Sequence, residues 1–402
     1  MNCLNFNCDI NITDNPLNLD INDFLEVAIR NNPKRRFLFV SKTLGKHLAC
    51  KASDMDDLGR LIVQAYKNRN IESKSKTIIS FAETGTAIGH SVFDYLEGDN
   101  EFIHTTREIV KEFKSLDFLE EHSHATDHKL YFENLDTLEK GEEVILVDDE
   151  ITTAKTCRNI IRQIQSIYPK KRYTICSILN WVDSDNYNET KELEKELGCS
   201  IDYVYLFRGS FKFNMENINN NIKSYKLEEI SREIDVEYIN LDMEDYLGEN
   251  RYLKYTGRFG INKKDQDKLK QLVKRESKKL VLEDENREIL FLGTEELMYI
   301  PMLFAKESQG NIYYHSITRS PIIENDVDGY PIRSKFELSS FYNTDVKNYV
   351  YNLDKRNYSE CFLFTELKRD KEEFKDIINI FKHTSVKKLN IVCLSKGDDE
   401  IE

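Results

Sequence analysis

The chain has 402 residues, of which 40% are apolar, and a formal net charge of −14. This length suits two domains with hydrophobic cores, and the negative charge argues against a nucleic-acid-binding surface. The sequence contains no run of about 20 apolar residues, so no transmembrane helix is predicted. The polar first residues do not form a secretory signal. We therefore expect a cytoplasmic protein without membrane partners.

Predicted strands alternate with predicted helices through the first half of the chain. An amphipathic helix is predicted over 21–31, and further helices over 58–66 and 90–96 and after residue 156. Apolar runs predict strands at 37–40, 77–81, 101–105, 129–132, 144–147, 172–179 and 201–207. This alternation predicts a parallel sheet with helices on both faces.

A basic loop with Lys42, Lys46 and His47 follows the strand predicted at 37–40. Either it is an ordinary solvated turn or its cations bind an anion. Arg107 follows a later strand and leaves a similar choice, between a substrate anion and a structural ion pair.

A loop rich in glycine and threonine, AETGTAIG at 82–89, joins the strand at 77–81 to its helix. Its backbone N–H groups are suited to surround an anionic group. The residues concerned are Glu83, Thr84, Gly85 and Thr86.

Three of the eight histidines fall close together in the polar stretch 107–128. They are His122, His124 and His128, with Asp127 among them. These imidazoles could protonate or bind a phosphate group, could hold Zn²⁺, or could belong to a plain polar loop.

The stretch VILVDDEITTAKT at 144–156 is the most informative in the chain. A buried strand ends in Asp148 and Asp149, and an amphipathic helix follows. In α/β sheets such a turn lies where ligands bind, and the helix N-terminus favours a phosphate. The two acids suit sugar hydroxyls or a cation. The hydroxyl donors of the turn are Thr152, Thr153 and Thr156.

Trp181, the only tryptophan, follows the strand at 172–179. It either stacks on a nucleobase or packs in the core. Residues 1–215 are predicted as the first domain, and the apolar-poor residues 216–250 as a connector.

A second α/β domain is predicted over 251–402, with strands at 288–292, 312–316, 349–352, 361–364 and 390–394. Two of its loops place an arginine in a tight turn, namely GRFG with Arg258 and TRSP with Arg319. These arginines suit a second anion pocket or one that completes the first.

The two domains show signs of an internal repeat. Residues 126–136 (TDHKLYFENLD) and 344–354 (TDVKNYVYNLD) share seven of eleven letters. In the second copy the counterpart of DDEITTAKT is TELKRDKEE at 365–373, which lacks the hydroxyl run. We therefore predict two units that superpose strand for strand, the second without the chemistry of the first.

The stretch at 144–156 resembles the phosphoribosyl-pyrophosphate (PRPP) signature of type I phosphoribosyltransferases. Ala154 replaces the usual glycine, and its Cβ disfavours a positive φ. The resemblance implies that Asp148 and Asp149 hold the ribose hydroxyls and that the 5′-phosphate binds at Thr152, Thr153, Ala154, Lys155 and Thr156.

The same resemblance implies a pyrophosphate loop at 83–86 and a mobile catalytic hood at 107–128. The predicted catalytic residues are His122, His124, His128 and Asp149. Further expected contacts with anions or the base are Lys42, Lys46, Arg107, Trp181 and Arg319.

Together with FLFVSKTLGKH, ETGTAIGH, EEHSHATDH and TRSP, this stretch resembles a two-domain family. Its members join an orotate-phosphoribosyltransferase-like domain to a TRSP domain and are associated with bacterial tellurite-resistance and stress operons. The resemblance implies a type I phosphoribosyltransferase-like α/β fold.

The implied activity is Mg²⁺-dependent transfer of phosphoribosyl from PRPP to a nitrogenous base or similar acceptor. A non-catalytic PRPP or nucleotide sensor and a hydrolase of phosphoribosyl compounds stay open as alternatives. No direct protein ligand of a metal is predicted, and the chain is expected to form a homodimer or an intrachain pseudo-dimer.

Overall fold

The computed structural model describes residues 6–30, 32, 35–70, 73–118, 128–132, 136–215, 232–367 and 369–395. His122 and His124, two of the predicted catalytic residues, lie outside these ranges. Within them, no helix combines the length and the apolar character needed to cross a membrane.

Helices separate most strands of the two sheets along the described chain, and several shorter strands follow one another directly. The strands are β1 (Phe6–Asp14), β2 (Leu25–Ile29), β3 (Phe37–Ser41), β4 (Ser75–Ser80), β5 (Asp99–His104), β6 (Lys114–Phe118), β7 (His128–Phe132), β8 (Glu143–Ile151), β9 (Arg172–Asn180), β10 (Ser200–Met215), β11 (Asp235–Asn240), β12 (Tyr246–Leu247), β13 (Tyr252–Leu253), β14 (Ile261–Asn262), β15 (Glu288–Thr294), β16 (Asn311–Ile317), β17 (Lys335–Ser339), β18 (Lys347–Tyr351), β19 (Glu360–Thr365) and β20 (Lys388–Cys393). The helices are α1 (Ile21–Phe24), α2 (Ala52–Lys67), α3 (Gly85–Tyr95), α4 (Asp136–Lys140), α5 (Lys155–Ile167), α6 (Ser184–Leu197), α7 (Lys263–Glu276), α8 (Tyr299–Glu307) and α9 (Lys375–Phe381).

The first sheet has the strand order β1-β10-β9-β8-β4-β5-β14. Its five central strands run parallel, and β1 and β14 pair antiparallel at its edges. Along β8, Ile145 and Val147 pack with α2 and α3, whereas Val144 and Leu146 pack with α5 and α6. Helices cover both faces, as predicted, and for that reason residues 144–147 of β8 form a continuous apolar run.

The second sheet has the order β11-β20-β19-β15-β16, and all four pairings are parallel. Its edge strand β11 lies within 216–250, so the prediction of a mere connector is wrong there. Val236 and Tyr238 alternate with polar residues along β11 and pack partly buried against the core. An edge strand needs few apolar residues, and the low apolar content of this segment concealed it.

The two sheets share one strand order. β10-β9-β8-β4-β5 matches β11-β20-β19-β15-β16 position by position, and an antiparallel hairpin follows β5 and β16 alike, as β6–β7 and β17–β18. This agreement supports the predicted duplication. The one difference in connection is that β10 comes last in its unit, whereas β11 comes first.

Hydrogen bonds identify equivalent residues in the two hairpins. The N–H of Val110 donates to the hydroxyl of Tyr131 at 2.9 Å, and the N–H of Ile322 donates to that of Tyr351 at 2.8 Å. Tyr131 therefore matches Tyr351, although the eleven-letter alignment pairs it with Tyr349. The repeat exists in the fold, but the sequence alignment of 126–136 with 344–354 is shifted by two residues from the structural equivalence.

The helix predicted over 21–31 is wrong beyond its first turn. α1 ends at Phe24, and the following residues form β2, which pairs antiparallel with β3. The β-branched Val27 and Ile29 favour a strand. The partner strand β3 follows within a few residues and was predicted at 37–40, but the apolar spacing did not reveal that the two segments pair.

Candidate functional site

A cavity of about 370 Å³ opens at the carboxyl ends of β4 and β8. This edge of a parallel sheet is where α/β folds bind ligands. The cavity brings together predicted residues from six separate segments. They are Lys46, Glu83, Thr84, Arg107, His128, Asp148, Asp149, Thr152, Thr153, Ala154, Lys155, Thr156 and Arg319.

β8 carries three successive acids into the cavity, Asp148, Asp149 and Glu150. The N–H of Asp149 donates to Oδ1 of Asp148 at 2.9 Å. Burial, and then repulsion by Asp149, raise the pKa of Asp148 well above its usual range. Glu150 instead has a cationic partner, since both its carboxylate oxygens lie 2.7 Å from Nη2 of Arg35. The first two acids are therefore the ones suited to ligand hydroxyls or a cation.

The turn after β8 leads directly into α5, and the side chain of its N-cap residue Ala154 accepts no hydrogen bond. Oγ1 of Thr153 accepts the N–H of Lys155 at 3.3 Å. The first N–H groups of a helix have no partner within it, so they are suited to bind an anion. Ala154, just before the helix, has φ 56° and ψ 14°. Alanine thus adopts the left-handed conformation that favours glycine, at a cost on the order of 1 kcal/mol.

A buried ion pair forms the wall beside the loop after β4. Nζ of Lys46 lies 2.5 Å from Oε1 of Glu83, and Lys46 is only 2% exposed. Burial lowers the pKa of Lys46, and the attraction of Glu83 partly offsets that effect. The peptide bond between Ala82 and Glu83 is cis. A cation in this poorly screened position interacts strongly with an anionic ligand group.

The other two residues of the predicted anion loop serve its packing. The hydroxyl of buried Thr86 donates to the carbonyl oxygen of Glu83 at 2.9 Å. A Cβ on Gly85 would meet the carbonyl oxygen of Val147 at 3.0 Å and Oδ1 of Asp148 at 3.2 Å. Glycine therefore allows α3 to begin directly against the acid pair.

Arg107 and His128 reach the cavity from the two described ends of the predicted hood. The backbone N–H of Arg107 donates to Oε1 of Glu296 at 3.0 Å. Its guanidinium makes no hydrogen bond to another residue that the structure describes. Nδ1 of His128 lies 2.9 Å from Oγ1 of Thr105. A cation and an anchored imidazole thus face one cavity.

The TRSP segment, residues 318–321, follows β16 and completes the cavity wall from the second domain. The guanidinium of Arg319 donates to Oε2 of Glu295 at 2.9 and 2.8 Å and to Oε1 of Glu108 at 2.7 Å. Burial lowers the pKa of Arg319, but the two carboxylates outweigh it and the net shift is upward. Arg319 is therefore a fixed cation whose charge is largely compensated by protein groups.

Two predicted contacts do not line the cavity. Lys42 pairs with Glu26, with Nζ 2.8 Å from Oε1. Trp181 is 7% exposed and packs against Phe39 and Phe211, with ring centroids 5.3 and 5.4 Å apart. A local ion pair and an aromatic core, rather than a ligand, engage these side chains.

The matching edge of the second sheet is filled by protein. By strand register Glu366 occupies the place of Asp149. Arg258, 1% exposed, donates to both carboxylate oxygens of Glu366 at 2.7 and 2.9 Å, and the hydroxyl of Tyr342 also donates to Glu366 at 2.9 Å. The anion pocket predicted around Arg258 is therefore wrong, because the arginine forms a buried structural ion pair.

Several residues of the site were not predicted from the sequence. Arg30 and Glu150 line the cavity, and Glu108, Glu295 and Glu296 hold the arginines that do. One signal was present: the acids of GTEE follow the end of a predicted strand, as Glu83 does. The sequence contained no signal that connected Glu295 and Glu296 to a site in the other domain.

Two protein-family models match the chain, one after the other. Residues 24–210 match a phosphoribosyl transferase model, and residues 255–381 match the TRSP domain that stands C-terminal to it. The chain belongs to this two-domain family. The two matched segments are called the phosphoribosyltransferase domain and the TRSP domain below. No curated protein matches the chain in sequence.

Several solved structures similar to this chain are phosphoribosyltransferases of low sequence identity. Adenine phosphoribosyl transferase from Trypanosoma brucei, in complex with AMP, pyrophosphate and ribose-5-phosphate, is 12% identical with a TM-score of 0.33, covering 45% of this chain and 76% of its own. The Rhodothermus marinus adenine enzyme is 13% identical with a TM-score of 0.33, covering 46% and 95%. Orotate phosphoribosyltransferase from Francisella tularensis is 12% identical with a TM-score of 0.25, covering 38% and 66%.

Proposed function

We propose that this protein transfers the 5-phosphoribosyl group of PRPP to a nitrogenous base or similar acceptor and releases pyrophosphate. The observation that carries the proposal is the cavity beside β8, where Asp148 and Asp149 meet the start of α5 and several cations. Each of these features suits a different part of PRPP.

In this proposal the ribose phosphate binds along the turn from β8 to α5. Asp148 and Asp149 accept hydrogen bonds from the ribose 2′- and 3′-hydroxyls. Backbone N–H groups and hydroxyls at 152–156 bind the 5′-phosphate. The pyrophosphate lies at the loop after β4, between Lys46 and Arg107.

Transfer breaks the bond from ribose C1′ to a pyrophosphate oxygen and forms a bond from C1′ to the acceptor nitrogen, whose proton is released to the solvent. The departing pyrophosphate takes the electron pair, and Lys46 and Arg107 stabilise the negative charge that grows on it. Binding at both ends fixes C1′ for attack. His128, anchored by Thr105, donates a hydrogen bond or proton to the leaving group. The catalytic roles of His122 and His124 stay predictions.

Magnesium fits the donor chemistry of the site. Among the described residues, no group of three or more His, Cys, Asp and Glu is placed to hold a metal ion. Mg²⁺ usually takes one or two carboxylates together with substrate oxygens, and Asp148 and Asp149 supply such carboxylates. Bound there with PRPP, it would neutralise charge on the ribose and pyrophosphate oxygens.

A non-catalytic PRPP or nucleotide sensor is the second candidate. Two features favour this candidate, namely the strained backbone of Ala154 and the edge of the second sheet that Arg258 fills. Neither feature is needed for turnover. Such a protein would bind PRPP and alter its association with a partner, as the implied link to stress operons would require. It would release no pyrophosphate.

The deciding experiment titrates PRPP with Mg²⁺ into the protein by calorimetry and then assays pyrophosphate release against a panel of bases. Binding with base-dependent release supports the transferase. Release without any base supports the hydrolase, and binding without release supports the sensor. The control is Lys42→Ala, since Lys42 lies outside the cavity and its removal leaves binding unchanged. Absence of PRPP binding by the unaltered chain would contradict the transferase and a sensor of PRPP.

A further inference from the structure

The loops that meet at the cavity come from equivalent positions in the two domains. Ser80 and Gly293 are equivalent, since each pairs with the matching strands on both sides. Three residues beyond them lie Glu83 and Glu296. By the same register, Arg107 after β5 is equivalent to Arg319 after β16.

These equivalent residues exchange hydrogen bonds between the domains. Oε2 of Glu83 accepts the backbone N–H of Arg319 at 3.2 Å, and Oε1 of Glu296 accepts the backbone N–H of Arg107 at 3.0 Å. Each glutamate therefore holds the arginine loop of the other domain. A reciprocal contact of this kind is the form of an isologous interface between two subunits, in this case within one chain.

The two halves of this exchange differ in what surrounds them. Beside Glu83 lies the open cavity, whereas the corresponding edge of the TRSP domain is filled by Arg258 on Glu366. Glu296 is 7% exposed, and its Oε2 accepts the hydroxyl of Thr106 at 2.7 Å. One carboxylate thus fixes both residues of the Thr106-Arg107 pair and leaves the guanidinium free of other described partners.

We propose that the TRSP domain acts as a built-in partner subunit and that its Glu296 is a positioning residue, which fixes Arg107 for the pyrophosphate of PRPP. This inference rests on the proposed function. Under this inference the pseudo-dimer has one ligand-binding site, because Arg258 fills the corresponding site of the TRSP domain. Glu296 touches no substrate in this arrangement and acts only through Arg107.

The test compares isosteric variants by calorimetric titration of magnesium pyrophosphate into the full chain. Glu296→Gln keeps the shape but cannot accept from both Thr106 and Arg107, because one of its terminal atoms is now a donor. The matched control is Glu366→Gln, which removes an equally buried charge from the surroundings of Arg258 and leaves Arg107 untouched. We expect binding about tenfold weaker for the first variant and unchanged for the control.

Glu296→Asp separates positioning from charge. It keeps a carboxylate near Arg258 but is one methylene too short to hold the Thr106-Arg107 pair, so positioning predicts weak binding for this variant too. If both Glu296 variants bind like the unaltered chain, or no more weakly than the control, the inference is wrong and the proposed function stands. A failure of the unaltered chain to bind pyrophosphate would overturn the proposed function, and the inference with it.

A double-mutant cycle with Arg107→Ala shows whether Glu296 acts through Arg107. The Arg107→Ala/Glu296→Gln variant should then bind no more weakly than Arg107→Ala alone. Additive losses would show a separate role for Glu296 and refute the positioning. The titrations should also give one pyrophosphate per chain, and two would contradict the filled second site.

Discussion

Asp148 is a residue at which stability and ligand binding oppose each other. Its pKa is raised by burial and by Asp149, so the folded protein keeps the proton at pH values where the unfolded chain has lost it. Raising the pH through that range therefore lowers the free energy of unfolding, because only the unfolded chain releases the proton there. Residues that bind ligands commonly carry such a cost.

Asp148→Asn should make the protein more stable at pH 7 while abolishing PRPP binding. The gain in unfolding free energy is on the order of 1 kcal/mol, and it vanishes as the pH falls below about 4, where the unfolded chain is also protonated. Urea unfolding at several pH values measures it. Asp185→Asn, on the exposed face of α6, is the control. A pH-independent effect would contradict the view that the buried charge of Asp148 is the cause.

Ala154→Gly should stabilise the protein by about 0.5 to 1 kcal/mol. Glycine adopts the φ of 56° without the strain of alanine, although it loses more backbone entropy on folding. Thermal unfolding gives the effect on stability. Calorimetry should show PRPP affinity equal to or higher than that of the unaltered chain, and a weaker affinity would mean that the alanine methyl contributes to the site.

At the scale of elements, two helices begin in contrasting ways. α7 has Asn262 as its cap, whose side chain accepts from the N–H groups of Lys264 and Asp265. α5 has no such cap, and its first turn faces the cavity. The first helix start is satisfied by the protein, and the second is suited to a phosphate.

Two substitutions test this contrast. Asn262→Ala should lower the free energy of unfolding by about 1 kcal/mol and leave PRPP affinity unchanged. Thr156→Ala should weaken PRPP binding about tenfold with little change in stability, because it removes a hydroxyl donor at the phosphate turn. Parallel urea unfolding and calorimetry measure both. Equal PRPP affinities for the two variants would contradict a phosphate site at α5.

At the scale of the whole molecule, the two domains share one hydrophobic core. Residues of β8 and α3 belong to the same buried cluster as residues of α8 and β15. Buried polar pairs add to this interface, and the ring of His90 stacks on Tyr299 with centroids 3.8 Å apart. We therefore expect the domains to unfold together.

Arg258→Met should lower the unfolding free energy of the chain by about 3 to 5 kcal/mol. It leaves Glu366 buried without its cation, close to a second acid, Glu296. Urea unfolding followed by fluorescence and circular dichroism measures the loss and shows whether one transition covers both domains. The control Arg333→Met removes a half-exposed ion pair and should cost less than about 1 kcal/mol. A similar loss for both variants would contradict the burial argument.

The local features of the site follow from neighbouring residues of the sequence. Apolar runs located most strands of both sheets, and the acids and threonines of 144–156 identified the ligand edge, because a strand, a turn and a helix start are encoded in neighbouring residues. The duplication was also predicted, although its letter match was two residues out of register.

Which side chains meet depends on how the elements pack in three dimensions. Trp181 packs in the core and Lys42 forms an ion pair. β2 is a strand because it pairs with its neighbour β3, β11 is a strand because it pairs with the distant β20, and Arg258 fills the second site. The contact of Glu296 with Arg107 joins residues 189 positions apart. Such contacts depend on how two sheets pack, and local propensity carries no record of that packing.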